Sequence, residues 1–230
     1  MALTFLENFF IFSVFASLIS FNFRIGKFLN LSLYSAFSVG AYLVYFFGEL
    51  SVILAFLLSF LIAYPLFLIK ERICRGVMDA TIVSLGYGIA IEEILRIGVQ
   101  KGYYYVVSEG VRALPEVFIA SYLLLIGFYL SPHGIRLKFI EEDEELARMC
   151  GVNSAAYGFA SIFIATFFAI LLGVVSSEGA AIHPRIGLSY MLAGILIAAI
   201  ATIKRSVGER NLVNITAVSL AASMFLEVFV

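Results

Sequence analysis

From Phe28 to Phe47 the sequence contains no Asp, Glu, Lys or Arg. A helix needs roughly 20 apolar residues to cross the hydrocarbon of a bilayer, so a run of this length constrains the fold more than any other feature of the chain. It does not stand alone. Further apolar spans read as Leu3–Phe23, Leu50–Ile69 with Pro65 near its end, Ala80–Ile97, Glu116–Leu130, Asn153–Ser177, Ile186–Ile203 and Asn211–Val230. The expected fold is all-α: a polytopic membrane bundle of about eight transmembrane helices, forming one domain over residues 1–230. Composition agrees, because 62% apolar and 13% charged residues leave too little polar surface to cover a soluble globule. The net charge of -1 supplies no basic field, so the expected surrounding partner is the lipid bilayer and no nucleic acid is expected. Glu7, with no basic residue before it, argues that the first apolar run is kept as a helix and not cleaved as a signal peptide.

Basic residues sort by side. On alternating spans, Arg24, Lys27, Lys70, Arg72, Arg75, Arg136, Lys138, Arg148, Lys204, Arg205 and Arg210 share one face, while Arg96, Lys101, Arg112 and Arg185 share the other. The positive-inside rule makes the first face cytoplasmic and puts both termini outside a plasma (inner) membrane. Cys74 and Cys150 then lie on the reducing side, too far apart in sequence for a metal cluster or a disulfide framework. No Trp is present, and Tyr103, Tyr104 and Tyr105 are placed to act as an interfacial belt. Small residues recur every four positions at Ser32, Ala36 and Gly40, at Ala165, Ala169 and Gly173, and at Gly194, Ala198 and Thr202. Such stripes let helix backbones approach closely, within a compact bundle or across a dimer.

Ionisable groups inside a membrane are costly and default to functional candidates. Glu92, Glu93 and Arg96 fall within the fourth span. Glu92 and Arg96 share a helix face at the spacing of an ion pair, and the alternative to a structural pair is a substrate or proton site. Asp79 suits the positive end of the same helix. His183, before Pro184 and Arg185, has no companion at metal-ligand spacing, and a turn is the simpler reading. No metal site is expected. No phosphate-cradling G-x-x-x-x-G-K-[ST] occurs and no nucleophile–base pair stands out, so the chain is expected neither to act as an enzyme nor to bind a cofactor itself.

The most informative polar segment is residues 132–153. Gly134 to Asn153 reads GIRLKFIEEDEELARMCGVN. The acidic run Glu141–Glu145 precedes Leu146, Ala147, Met149 and Cys150; Gly151 then breaks the run, and Asn153 can cap the next helix. A short amphipathic helix with an acidic first turn fits, either as a solvated loop helix or as a docking helix for a cytoplasmic partner.

This segment resembles the cytoplasmic coupling region of the branched-chain amino acid (Liv-type) ABC transporter permeases. Gly134, Arg136 and Lys138, the acidic pair Glu142 and Asp143, then Ala147 and Gly151-Val152-Asn153 follow that family's order and spacing. Leu29-Asn30-Leu31-Ser32 with Gly40-Ala41-Tyr42-Leu43, Glu71-Arg72 with Arg75 and Ser84-Leu85-Gly86, and Pro184 with Ile186-Gly187 look like further family stretches. The family's Gly-rich stretch after the seventh span is replaced here by Ala201–Glu209, which marks a divergent, short member. The resemblance implies one of two permease subunits of an importer, forming a homo- or heterodimer. Two ABC ATPase subunits would consume the ATP, and an extracytoplasmic binding protein would deliver a branched-chain amino acid or similar small polar solute. It further implies that Glu142, Asp143, Leu146, Ala147, Arg148, Gly151 and Asn153 couple the bundle to the ATPase. A stand-alone carrier or channel using Glu92, Glu93 and Arg96, and a structural paralogue without a transport path, are the competing classes.

Overall fold

A computed structural model describes residues 2–98, 105–106, 113–177, 181–203 and 209–229. Lys101, Tyr103, Tyr104, Arg112, Lys204 and Arg205, which carried part of the charge count and of the expected aromatic belt, lie outside these residues. The architecture is helical: α1 (Ala2–Gly26), α2 (Leu33–Phe47), α3 (Ser51–Arg72), α4 (Val77–Gly98), α5 (Leu114–Leu130), α6 (Pro132–Glu142), α7 (Glu144–Met149), α8 (Ser154–Ser176), α9 (Ile186–Thr202) and α10 (Glu209–Phe229). One departure from an all-helical chain is a short antiparallel pairing of β1 (Tyr105–Val106) with β2 (Ala181–Ile182).

Among the described residues, three apolar stretches are long enough to cross a membrane: Phe5–Gly26, Leu33–Arg72 and Ser154–Ser176. The pair α5 and α6, bent by 86°, makes a fourth if counted as one span. A straight helix over Leu33–Arg72 would be about 60 Å long, yet both halves pack on the far shorter α8. Phe37 and Ala41 lie against Gly173. Phe56 then meets Phe163 and Phe167, Phe60 meets Phe159 and Phe163, and Phe67 meets Phe159. α2 thus crosses α8 at Gly173, and α3 runs along α8 towards Phe159. The two are joined by a 3-10 turn, Gly48–Leu50, where Gly48 takes φ +54, a conformation that only glycine adopts at no steric cost.

Similar pairings orient the rest. Phe9 and Phe10 meet Phe118, and Phe21 meets Tyr129, so α1 and α5 run the same way. Phe12 meets Tyr190 and Phe15 lies by Gly194, so α9 follows them. Asn211 donates to Ser20 at 2.7 Å and Thr216 to the Tyr122 hydroxyl at 3.2 Å, which runs α10 opposite to α1.

Small polar residues are buried while many large aliphatic ones are exposed. Ser13, Ser17, Asn22, Ser35, Ser38, Ser84, Ser161 and Thr166 are buried, whereas Ile53, Leu57, Leu61, Ile82, Ile94, Leu123 and Leu196 are exposed. Water would make that surface an aggregation face; hydrocarbon suits it, because lipid gives helices no hydrophobic reason to associate and small residues and hydrogen bonds hold them instead. The Tyr122 hydroxyl illustrates this, with Ser13 at 2.7 Å and Ser17 at 2.9 Å as well as Thr216.

The small-residue stripes lie between helices of this chain. Ser32, Ala36, Gly40, Ala165, Ala169 and Gly173 are all buried, as are Gly194 and Ala198, while Thr202 is partly exposed and caps its own helix turn. Gly40 and Gly173 are reciprocal: a Cβ at Gly40 would sit 2.0 Å from the Ile170 carbonyl oxygen, and one at Gly173 would sit 1.9 Å from that of Phe37. Backbone cannot yield as a side-chain tip can, so Gly40→Ala or Gly173→Ala is expected to destabilise by about 3 kcal/mol, the upper end of overpacking. Thermal unfolding in detergent, with Gly86→Ala as the open-space control, checks this; an equal melting temperature for all three variants would refute it.

Candidate functional site

Three features stand out as functional candidates. The first is the segment that joins α1 to α2. The whole run from Phe28 was expected to be helical, but residues 27–32 are not. Lys27 takes φ 57, and the Asn30 carboxamide accepts from the Ser32 amide (3.1 Å) and hydroxyl (2.7 Å), a local bond that competes with helix. Phe28, Asn30 and Ser32 are nevertheless buried. Non-helical backbone is tolerated at such depth only when protein groups satisfy it, and α4 does so. Thr81 Oγ1 accepts from the Leu29 amide at 3.2 Å; Ser84 Oγ accepts from the Leu31 amide at 3.0 Å and lies 3.1 Å from the Leu29 carbonyl. α2 itself is about 22 Å long. Both polar atoms of the Asn22 carboxamide and Nδ2 of Asn30 are buried without a hydrogen-bond partner.

The second is Glu92. It is buried, and its partner is not Arg96. Arg185, just before α9, places Nε 2.5 Å from Oε1, and the Tyr34 hydroxyl donates to Oε2 at 3.3 Å. Arg96 pairs instead with Glu93 at 2.5 Å on the outer face. The helix surface allows both spacings; Glu92 faces inward, towards α2 and α9, where Arg185 reaches it. Gly88 and Gly187 let α4 and α9 close on Tyr34: a Cβ at Gly187 would meet the Tyr34 carbonyl at 2.3 Å. His183 lies nearby, its Nδ1 accepting from the Arg185 amide at 3.2 Å, which makes the expected turn.

The third is the acidic segment. It is not one helix start but two helices. α6 carries Glu141 and Glu142 at its end, Asp143 is extended (φ -150), and its carboxylate accepts from the Glu145 and Leu146 amides at 2.9 and 3.1 Å to begin α7. Glu141 is drawn inward: Tyr129 donates to its carboxylate, Arg24 lies 3.6 Å from it, and its carbonyl accepts from Lys27 at 2.9 Å. Gly134 lets α6 fold under α5, because a Cβ there would lie 1.9 Å from the Tyr129 carbonyl.

Gly151-Val152-Asn153 closes one helix and opens the next. Gly151, at φ +79, donates to Arg148 O, and Val152 donates to Ala147 O, both at 3.0 Å, the Schellman pattern. Asn153 Oδ1 then accepts from the Ala156 amide at 3.1 Å to cap α8. Arg148 bridges Ser154 of α8 (2.7 Å) and Glu144 (2.7 Å). Ala147 is buried; Glu142, Asp143 and Glu145 are exposed, and so are Leu146 at 49% and Met149 at 86%. α7 is therefore fastened to α8 on one side and offers two apolar and three acidic side chains on the other.

A cavity of about 990 Å³ opens beside this platform. Ile19, Ile195 and Ala198 of α1 and α9 form apolar walls, and Arg24, Glu141 and Glu142 form a charged rim. Among the described residues no group of three His, Cys, Asp or Glu could hold a metal ion. Tyr34, Arg185, Tyr122 and Thr81 are positions that local sequence reasoning did not single out as partners; their bonds join residues from 52 to 109 positions apart. The sole sequence hint was a hydroxyl, amide or charge within or beside an apolar run. Comparison with protein-family models, with curated proteins and with solved structures found no match.

The Glu92 pair is asymmetric, because its carboxylate is buried and Arg185 is 66% exposed at the side chain. Arg185→Ala strands a buried charge and is expected to lower stability more than Glu92→Gln, which leaves a solvated guanidinium. Equal losses, or a larger loss for Glu92→Gln, in denaturant melts would refute this geometry.

Proposed function

We propose that this chain is the membrane-spanning permease subunit of an ABC-type importer, with eight transmembrane helices (α1–α5 and α8–α10) and α6–α7 on the cytoplasmic face of a plasma (inner) membrane. The observation that carries this reading is the joint between α7 and α8. α7 is capped at both ends, seated on Ala147 and tied to Ser154 by Arg148, so a push on it is passed to α8. Leu146 and Met149 are the apolar contacts, and Glu142, Asp143 and Glu145 the polar rim, of a docking surface for an ATPase subunit.

The mechanism follows from packing. ATP binding and release by the partner changes its shape, and the docking helix responds only if its contacts differ between those shapes. α8 receives the displacement. It lies against α1, α2 and α3, and at Gly40 and Gly173 its backbone touches that of α2, so it cannot move without carrying them. α2 leads into the extended segment 27–32, whose hydrogen bonds to Thr81 and Ser84 are side-chain bonds that can exchange. The cavity between α1 and α9 has an aliphatic wall and a rim bearing both signs of charge, which suits a zwitterion with an apolar side chain, the branched-chain amino acids being the simplest case. A second permease subunit and an extracytoplasmic binding protein complete the complex.

Leu146→Glu with Met149→Glu is expected to abolish co-purification of the ATPase and uptake while leaving the melting temperature within about 2 °C, since both side chains face outward. Uptake by the purified chain alone in liposomes would overturn the reading in favour of a stand-alone carrier built on Glu92. Topology is tested separately: Cys150 is exposed and Cys74 is partly covered, so a membrane-impermeant maleimide should label Cys150 in inverted vesicles and not in intact cells. The reverse pattern would turn the bundle over.

A further inference from the structure

Three connections meet at the α7 end of the bundle. Lys27 comes from the α1–α2 segment, Lys70, Glu71, Cys74, Arg75 and Gly76 from the end of α3 and its link to α4, and Glu144 and Arg148 from α7. They enclose a polar cleft of about 380 Å³ that is separate from the α1–α9 cavity, sharing none of its lining residues.

The charges in the cleft do not balance. Four cations face two carboxylates. Lys70 is taken by Glu71 at 2.6 Å and Arg148 by Glu144 at 2.7 Å. Among the described residues, Lys27 and Arg75 have no carboxylate within ion-pair distance; the Lys27 ammonium donates to the Glu141 carbonyl at 2.9 Å, and Arg75 offers its amide to Asp79 at 3.3 Å. Lys27 is also held at φ 57, a left-handed conformation that a side-chain-bearing residue adopts at a cost. Burial lowers its pKa in spite of Glu144, Glu141 and Asp143 around it. Lys27 and Arg75, two cations without a carboxylate at ion-pair distance, line one polar cleft that can take an anion. On the open side, a Cβ at Gly76 would meet nothing within 4 Å, so a bulky anion can enter.

We propose that this cleft binds a phosphate-bearing anion, clamped between Lys27 and Arg75 with Lys70 and Arg148 behind them. Basic pockets between membrane helices take the head groups of acidic phospholipids in this way, and a free phosphate offers the same chemistry. The site is distinct from the ATPase-docking surface, and its test does not depend on that surface.

Phosphatidylglycerol, phosphatidylcholine and inorganic phosphate are the probes, titrated against the purified full chain in detergent and read by native mass spectrometry and thermal shift. Phosphatidylglycerol is expected to bind at least tenfold more tightly than phosphatidylcholine. Lys27→Gln with Arg75→Gln should erase that preference; Arg136→Gln with Lys138→Gln, which removes the same charge from α6 outside the cleft, should keep it. Arg75→Gln alone, at an exposed position, should weaken binding several-fold and guards against a Lys27 variant that fails to fold. Displacement of the lipid by millimolar phosphate would identify a free phosphate as an occupant, and its failure a lipid head group; either supports the site. Equal affinity for the two lipids, or equal losses in the two double variants, would overturn it.

Discussion

Gly40 and Gly173 bring the backbones of α2 and α8 into direct contact, and the rest of the bundle is arranged around that contact. Lipid supplies no hydrophobic pressure between helices, so close approach must be gained through missing side chains. With α2 held on one side of α8, α3 can run along it through a ladder of phenylalanine rings, and α1 covers it by way of Phe15 against Phe37. A bulkier pair at these two positions would push α2 off α8 and take the lead-in segment, α4 and the Glu92 contact with it.

The burial of small polar residues is the second consequence of the same solvent. Serine, threonine and asparagine collect between helices because a hydroxyl that faced hydrocarbon would have no partner. Thr81 and Ser84 show what this permits. They complete the hydrogen bonding of a stretch that leaves the helical path, so the bundle contains a piece of extended backbone that neither lipid nor water has to satisfy. Asn22, whose carboxamide has no partner, lies next to this region, with its oxygen and the Ser161 hydroxyl both within 3.4 Å of where a Cβ of Gly26 would be.

Much of this was legible in the order of residues and some was not, for one physical reason. Features set by neighbours three to five positions apart are written locally. The ends of α5 and α8 fall within two residues of the apolar runs that announce them, and the residue types of Gly151-Val152-Asn153 spell a stop and a start by themselves. Features set by distant partners are not. Residues 28–32 have the composition of a helix, and only Thr81 and Ser84 make the alternative affordable. Glu92 has Arg96 four positions on, and local rules choose it; the structure chooses Arg185, 93 positions away, because burial selects the inward face. Glu141 reads as one of five solvated acids and proves to be an inward anchor, held by Tyr129 on an element folded back beneath it.

The large aliphatic surface has an evolutionary corollary. In a soluble domain the large aliphatic residues are the most constrained, because each fills a shaped space. Here Ile53, Leu61, Ile94 and Leu123 are mostly exposed to the solvent of the fold, so many apolar side chains serve at those positions and drift should erase them first. The constrained letters are the small ones, Gly40, Ser84, Gly134 and Gly173. Two related chains can therefore keep this architecture while sharing few of their most hydrophobic residues, and kinship would persist longest in a sparse pattern of glycines and hydroxyls.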